Sequence, residues 1–282
     1  MQDLGTSAEN TWCPGCGNFG ILAAVKKAIL MLEEQGISRD KIVMTSGIGC
    51  SGKIFDYLNL SGIYSLHGRD MATVQGIKLA NPDLKVVSFS GDGNGMGEGL
   101  AHVLFAAKRN ADITIVMHHN EVYALTTGQY TPLTKKGWKG PSTPNGSVED
   151  PYNALSLLLE AGATFLARSY SGKVNHLANI IVQAILHEGF SFVDVLQPCV
   201  SWNNTWELYN DITYELTENP KTFEEAYQIV KKNDRLPIGV FWKKRKPVFH
   251  DQLYGNFNPI KHSLSKEKRI EYIKTILNQR KQ

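Results

Sequence analysis

At 282 residues, with 42% apolar and 20% charged side chains, the chain has the composition of a globular protein of one or two domains. No apolar run approaches the roughly 20 residues of a membrane span, and residues 1–10 lack the basic flank and apolar stretch of a secretory signal. Both features argue against a membrane protein and lead us to expect a cytoplasmic location, where a reducing environment favours cysteines as ligands over disulfides.

Net charge is +3, unevenly spread: residues 231–282 carry 14 Lys and Arg against 4 Asp and Glu, so the preceding 230 residues carry −7. The run Lys243-Lys244-Arg245-Lys246 lies in this tail. It reads as a solvated surface or as a docking arm for an acidic partner, since a local field raises encounter rates. No nucleic-acid recognition motif accompanies it, so we expect no nucleic acid as partner.

In chain order, residues 18–35 predict a helix with Phe19, Leu22, Val25, Ile29 and Leu32 on one face. Residues 41–46 predict a short strand ending at Gly47-Ile48-Gly49, and residues 71–79 a helix stopped by Asn81-Pro82. A strand over 85–90 runs into Gly91-Asp92-Gly93. A helix over 100–109 and a strand over 112–118 deliver Asn120. Residues 126–150 show no periodicity, and a loop that long in a compact domain is usually functional or mobile. Helices over 152–160 and 174–187, a strand near 164–168 and a last strand over 190–196 lead to Gln197-Pro198-Cys199.

Strands alternating with helices predict an α/β fold with a doubly wound, mostly parallel sheet. We expect residues 1–205 to form that domain and 206–282 an irregular basic extension packed on it or on a partner subunit. Cys50, Asp92, Asn120 and Cys199 each follow a predicted strand, so all four should emerge at the carboxyl edge, where open α/β sheets bind ligands.

Gly91 and Gly93 allow close backbone approach to a phosphate, and a helix starting near 97–99 would aim free N–H groups at it. Asp92 supplies a carboxylate oxygen and Asn120 an amide oxygen, both suited to Mg²⁺, with the backbone carbonyl of Val122 able to complete the set. Alone, Gly-Asp-Gly is an ordinary turn with a surface aspartate. The preceding strand, the glycine-rich helix start and the Asn ending the next strand make it resemble the diphosphate motif of thiamine diphosphate enzymes.

Cys13, Cys16, Cys50 and Cys199 are the chain's four cysteines. Cys13-Pro14-Gly15-Cys16 places two thiols on one turn, and two more arrive from strand ends. Four thiolates suit zinc or a [4Fe–4S] cluster; one CxxC with two isolated cysteines is less typical of a zinc ribbon. Residue types alone also allow Cys50 and Cys199 to be packing thiols.

The segments WCPGCGNFG, GIGCSGK, HGRD, GDGN, HHNEVYALTTGQ and QPC, and further on LPIGVF, resemble in order the β subunit of 2-oxoacid:ferredoxin oxidoreductases. The resemblance spans residues 10–205 and the LPIGVF segment. It implies the thiamine-diphosphate-binding fold, a [4Fe–4S] cluster on Cys13, Cys16, Cys50 and Cys199, and Mg²⁺ on Asp92, Asn120 and the carbonyl of Val122. Ile48, Gly49, Cys50, Ser51, His67, Gly91, Gly93, Asn94, Ala124 and Leu125 fall at or beside cofactor-contacting positions. Lys53 and His67 are the candidate catalytic side chains, Lys53 matching a lysine that faces the substrate carboxylate in some members; a surface lysine is the alternative.

The reaction so implied turns a 2-oxoacid and coenzyme A into acyl-CoA and CO₂, with electrons passing to ferredoxin. An α subunit is the expected partner and source of the glutamate that activates the aminopyrimidine, for which this sequence shows no motif. Three departures bear on substrate preference. Asp70-Met71 stands where many relatives have small or apolar residues and a proline. Thr127 stands where several have lysine, and His118-His119 where an acidic or amide residue is usual. A non-oxidative thiamine diphosphate decarboxylase or synthase, and a zinc-stabilised binding module, are the competing classes.

Overall fold

A computed structural model describes residues 4–232, 234–255, 257–261 and 264–279. Helix α1 (Asn18–Glu34) buries Ile21, Val25, Ala28, Ile29 and Leu32. Phe19, expected on that stripe, is one helical step off it; it is 41% exposed and meets Trp12 edge-on at 5.5 Å between ring centroids. Strand β1 (Ile42–Ser46) is followed by the short helix α2 (Ile54–Tyr57) and strand β2 (Ser61–Tyr64). Every residue of β2 is exposed, so it carries no apolar pattern to read.

Next come α3 (Asp70–Ala80), β3 (Lys85–Gly91), α4 (Leu100–Arg109) and β4 (Thr114–His119). A small antiparallel hairpin of β5 (Val122–Tyr123) and β6 (Gln129–Tyr130) opens the long aperiodic stretch. That stretch is anchored in two places: Thr131 Oγ1 donates to Asp92 Oδ2, and Thr134 Oγ1 donates to the Glu121 carbonyl, both at 2.6 Å. Helix α5 (Ala154–Glu160), β7 (Phe165–Tyr170), α6 (Val174–Leu186) and β8 (Ser191–Leu196) complete the predicted alternation.

Beyond residue 205 the chain is more regular than its sequence suggests. It forms α7 (Trp206–Ile212), β9 (Thr213–Glu215), α8 (Phe223–Val230), β10 (Leu236–Lys243), α9 (Phe249–Tyr254) and α10 (Lys266–Gln279). Pro237 and Gly239 mask β10, which nevertheless buries Ile238, Val240 and Phe241 and pairs antiparallel with β7 through a bulge at Val240/Trp242. The described residues of α10 are all exposed.

The eight-stranded sheet runs in the order β2-β1-β3-β4-β8-β7-β10-β9. Strands β1 to β4, β7 and β8 are parallel. Side-chain alternation divides the core into two layers. On β4, Val116 faces the layer of α1 and α6, while Ile115 and Met117 face that of α3, α4 and α5. Large side chains such as Phe89, Phe165, Phe192 and Phe241 are fully buried, each contributing about 1.5–3 kcal/mol. This packing fixes the ends of β1, β3, β4 and β8 side by side at one edge.

Candidate functional site

Four consecutive strands of the sheet deliver the residues singled out above. Cys50 follows β1, Asp92 follows β3, Asn120 follows β4, and Cys199 follows β8. The edge carries two adjoining cavities.

The first, of about 60 Å³, is lined by Ile48, Gly49, Cys50, Ser51, His67, Gly91, Asp92, Gly93, Asn94, Asn120, Val122, Ala124 and Leu125. These are all the positions read as cofactor or magnesium contacts, and Tyr123 and Thr126 join them. Helical geometry sets in at Asp92 itself, with a π-helical turn over Asn94–Glu98, earlier than the 97–99 start expected. The backbone at Gly93 is ordinary right-handed helix (φ −62°). Glycine is needed there because a Cβ would lie 2.3 Å from the Tyr123 ring. Gly49, at φ +113°, is the turn that needs glycine for its conformation.

Asn94 ties the pocket together. It is 2% exposed; its Oδ1 accepts from the N–H groups of Ile48 (3.3 Å) and Gly68 (2.8 Å). Its Nδ2 donates to Asp70 Oδ1 and Ser90 Oγ, both at 2.7 Å. Asp70, noted above as a departure, is fully buried; Ser88 Oγ donates to its other oxygen at 2.9 Å. Burial pushes its carboxyl up, against those hydrogen bonds. Sequence reading missed this role, and an Asp at the head of an apolar helix was its one signal.

Asp92 is 1% exposed, and its carboxyl is pushed up to about 6 by burial, with His119 and the Thr131 hydrogen bond pulling the other way. A buried carboxylate that meets the Thr131 hydroxyl and the Asn120 backbone but no directly paired cation is suited to a metal ion. Asn120 Nδ2 donates to Gln197 Oε1 at 2.8 Å and its Oδ1 accepts from the Val122 N–H at 3.1 Å, which fixes the amide's orientation. These are hard oxygens of the kind magnesium prefers. His67 Nδ1 lies 3.1 Å from Glu98 Oε2 without hydrogen-bond geometry.

The second cavity, of about 140 Å³, is lined by all four cysteines and shares Cys50, Asn120, Ala124 and Leu125 with the first. Each cysteine is a free thiol. The Cys13–Cys16 turn is closed by the Cys16 N–H donating to the Cys13 carbonyl at 3.0 Å, and the Gly17 N–H ties it to Pro198 at 3.0 Å. Trp12 Nε1 donates to the Cys50 carbonyl at 2.7 Å. Gln197 Nε2 and Ser201 Oγ donate to the sulfurs of Cys16 (3.5 Å) and Cys13 (3.2 Å). Burial, with the other three thiols adding to it, pushes Cys16 up to about 12. Among the described residues no three His, Cys, Asp or Glu side chains gather as a ready single-ion site. Lys53 lines this cavity rather than the first, its Nζ 3.4 Å from the Thr11 carbonyl.

The two histidines before Asn120 face opposite ways. His118 is buried against Asn18, 2.8 Å away, and burial lowers it to about 3. His119 pairs with Asp194 at 2.8 Å; burial opposes its charge, but Asp194, with Asp92 and Glu121 adding to it, outweighs burial and raises it to about 9.

Residues 47–195 match the family described as thiamine pyrophosphate enzyme, C-terminal TPP binding domain. Residues 199–256 match the family described as the C terminal of the pyruvate ferredoxin oxidoreductase beta subunit. The chain is 42% identical over 268 residues to a 2-oxoacid:ferredoxin oxidoreductase subunit beta from Saccharolobus solfataricus, covering 89% of this chain and 87% of that one. It is 40% identical over 293 residues to a protein of the same name from a Sulfolobus species, covering 95% of each. Among solved structures, a 2-oxoglutarate:ferredoxin oxidoreductase from Magnetococcus marinus with 2-oxoglutarate, coenzyme A and succinyl-CoA bound is similar at a TM-score of 0.86 and 32% identity, over 96% of this chain and 94% of that chain.

Proposed function

The chain belongs to the β-subunit family of the 2-oxoacid:ferredoxin oxidoreductases, and from that premise we propose that it holds thiamine diphosphate through Mg²⁺ and carries a [4Fe–4S] cluster. With an α subunit it would convert a 2-oxoacid and coenzyme A into acyl-CoA and CO₂, passing electrons to ferredoxin. The observation that carries this reading is the shared wall of the two cavities: Cys50, Asn120, Ala124 and Leu125 line both.

Asp92, Asn120 and the Val122 carbonyl are the groups we assign to magnesium, and Cys13, Cys16, Cys50 and Cys199 those we assign to the cluster. When bound, thiamine diphosphate supplies carbanion stabilisation and the cluster supplies a one-electron acceptor. A tetrahedral zinc site at about 2.3 Å per sulfur would draw the four sulfurs onto one point. The four thiols instead come from three separate segments and share one cavity with Lys53 and Trp202, an arrangement less typical of a zinc ribbon than two CxxC pairs. Lys53, beside Cys50 on the same loop, is assigned to the substrate carboxylate, and His67 to the cofactor.

The partner follows from what the first cavity lacks. Among the described residues Asp92 is the one carboxylate in its wall, which supports the assignment of the aminopyrimidine's glutamate to an α subunit. At 60 Å³ the cavity is far below the roughly 300–1,000 Å³ of sites that enclose a small organic ligand. Leu66, next to His67, is 75% exposed and Leu125 is 45% exposed, an apolar rim for a second protein to cover. The test is anaerobic purification with the co-expressed α subunit, assaying iron, sulfide, thiamine diphosphate and 2-oxoacid-dependent ferredoxin reduction. Zinc without iron would support a binding module, and decarboxylation without ferredoxin reduction a non-oxidative enzyme.

A further inference from the structure

Alternation at the end of β4 divides the carboxyl edge. Asn120 and Val122 line the small cavity described above, whereas His119 and Glu121 line a separate cavity of about 380 Å³. Its wall includes charged groups that the proposed reaction does not use.

Asp194, 1% exposed, accepts from His119 Nδ1 at Oδ1 and from Arg168 Nε at Oδ2, both at 2.8 Å, so each of its oxygens is engaged. Arg168 and Asp194 are register partners on β7 and β8. The Arg168 side chain is 8% exposed, and its Nη1 is buried with no hydrogen-bond partner among the described residues; His119 Nε2 is likewise without one. Glu121 is 7% exposed and held at φ +61°, a conformation that an ordinary residue adopts only under constraint from its surroundings. Its Oε1 is 3.5 Å from the Tyr209 hydroxyl. Lys135 stands exposed at the rim, and Leu133, Leu196 and Leu236 form apolar wall.

One edge of the guanidinium is engaged by Asp194 and its face lies over the Phe241 ring at 5.8 Å, so what remains is the Nη1 end, and a buried cationic N–H without an acceptor calls for a singly charged oxyanion. Asp194 and Glu121 in the wall oppose a doubly charged phosphate, and the leucines leave room for hydrocarbon. We propose that this cavity binds a small monocarboxylate with a short apolar tail, received by Arg168 with Lys135 at the entrance. The site stands independently of the thiamine reading, though the 119–122 segment joins the two cavities.

Isothermal titration of the protein with its α partner, at constant ionic strength, uses butyrate as probe, inorganic phosphate as the rival class and chloride as reference. The expected result is saturable butyrate binding, weakened roughly ten- to a hundred-fold by Arg168→Lys through loss of a charged hydrogen bond and about two- to five-fold by Lys135→Ala, an exposed charge screened by solvent. Thiamine diphosphate retention should be unchanged in Lys135→Ala. Lys135 is exposed, so that variant decides the matter if Arg168→Lys does not fold. Absence of saturable butyrate heat, tighter binding of phosphate, or butyrate affinity untouched by Lys135→Ala overturns the proposal.

Discussion

Asn94→Ala is the sharpest probe of how the edge is held together. The change removes four hydrogen bonds at a residue 2% exposed. The Ile48 N–H, in a part-buried bond, is within reach of water. The Gly68 N–H and Asp70 Oδ1 lose partners in buried bonds. At about 1–3 kcal/mol for each buried group left unsatisfied, those two alone predict a loss near 4 kcal/mol. Asp70, already pushed up by burial, recovers part of this by taking a proton. At roughly 2–4 °C per kcal/mol for a chain near this size, the midpoint should fall by about 8–16 °C. Circular dichroism melting of cofactor-free protein measures it. A second melt with Mg²⁺ and thiamine diphosphate reads the ligand-induced rise, which should shrink as the 47–49 and 67–68 loops loosen. A fall under about 1 kcal/mol, or an undiminished ligand-induced rise, refutes the keystone role of Asn94.

Asp92→Ala should abolish thiamine diphosphate retention and Asn120→Ala should weaken it less, because only the first removes charge from the proposed magnesium site; equal retention in both variants, measured by cofactor release, contradicts that assignment. Cys199→Ser should lose iron from anaerobically purified protein, whereas a packing thiol would tolerate the change; unchanged iron content decides for packing. Thr127 is exposed yet held at φ +75°, so Thr127→Asn should relieve strain of about 1 kcal/mol and raise the melting midpoint by a few degrees. His187, hydrogen-bonded to Thr164 Oγ1 at 2.9 Å, is lowered from 6.5 to about 4 by burial. The unfolded chain therefore binds the proton first, and stability should drop as pH falls from about 6.5 towards 4. His187→Gln should flatten that part of the stability–pH curve, and an identical slope in the variant would falsify the attribution.

The fold was legible where burial forces a pattern. Strands β3, β4, β7 and β8 are almost wholly buried, so they show as short, mostly apolar runs, interrupted by a few polar residues and closed by glycine, asparagine or proline nearby. That alternation of runs and helices was enough to bring Cys50, Asp92, Asn120 and Cys199 to one edge. It failed at β2, which buries nothing, and at β10, whose Pro237 and Gly239 mimic a loop. Both flank the central parallel strands β1, β3, β4, β8 and β7 of the sheet.

The polar interior of the site was not legible, for a different physical reason. A hydrogen bond between side chains has no period along the chain: Asp92 meets Thr131 across 39 residues, Asn120 meets Gln197 across 77, and His119 meets Asp194 across 75. Composition still leaves a trace. Arg168 and Asp194 sit inside strands otherwise apolar enough to be buried, and a charge in such a place must find an opposite charge or a ligand. Here each found the other, and the guanidinium edge that remains without an acceptor among the described residues is what turns a structural ion pair into a candidate binding site.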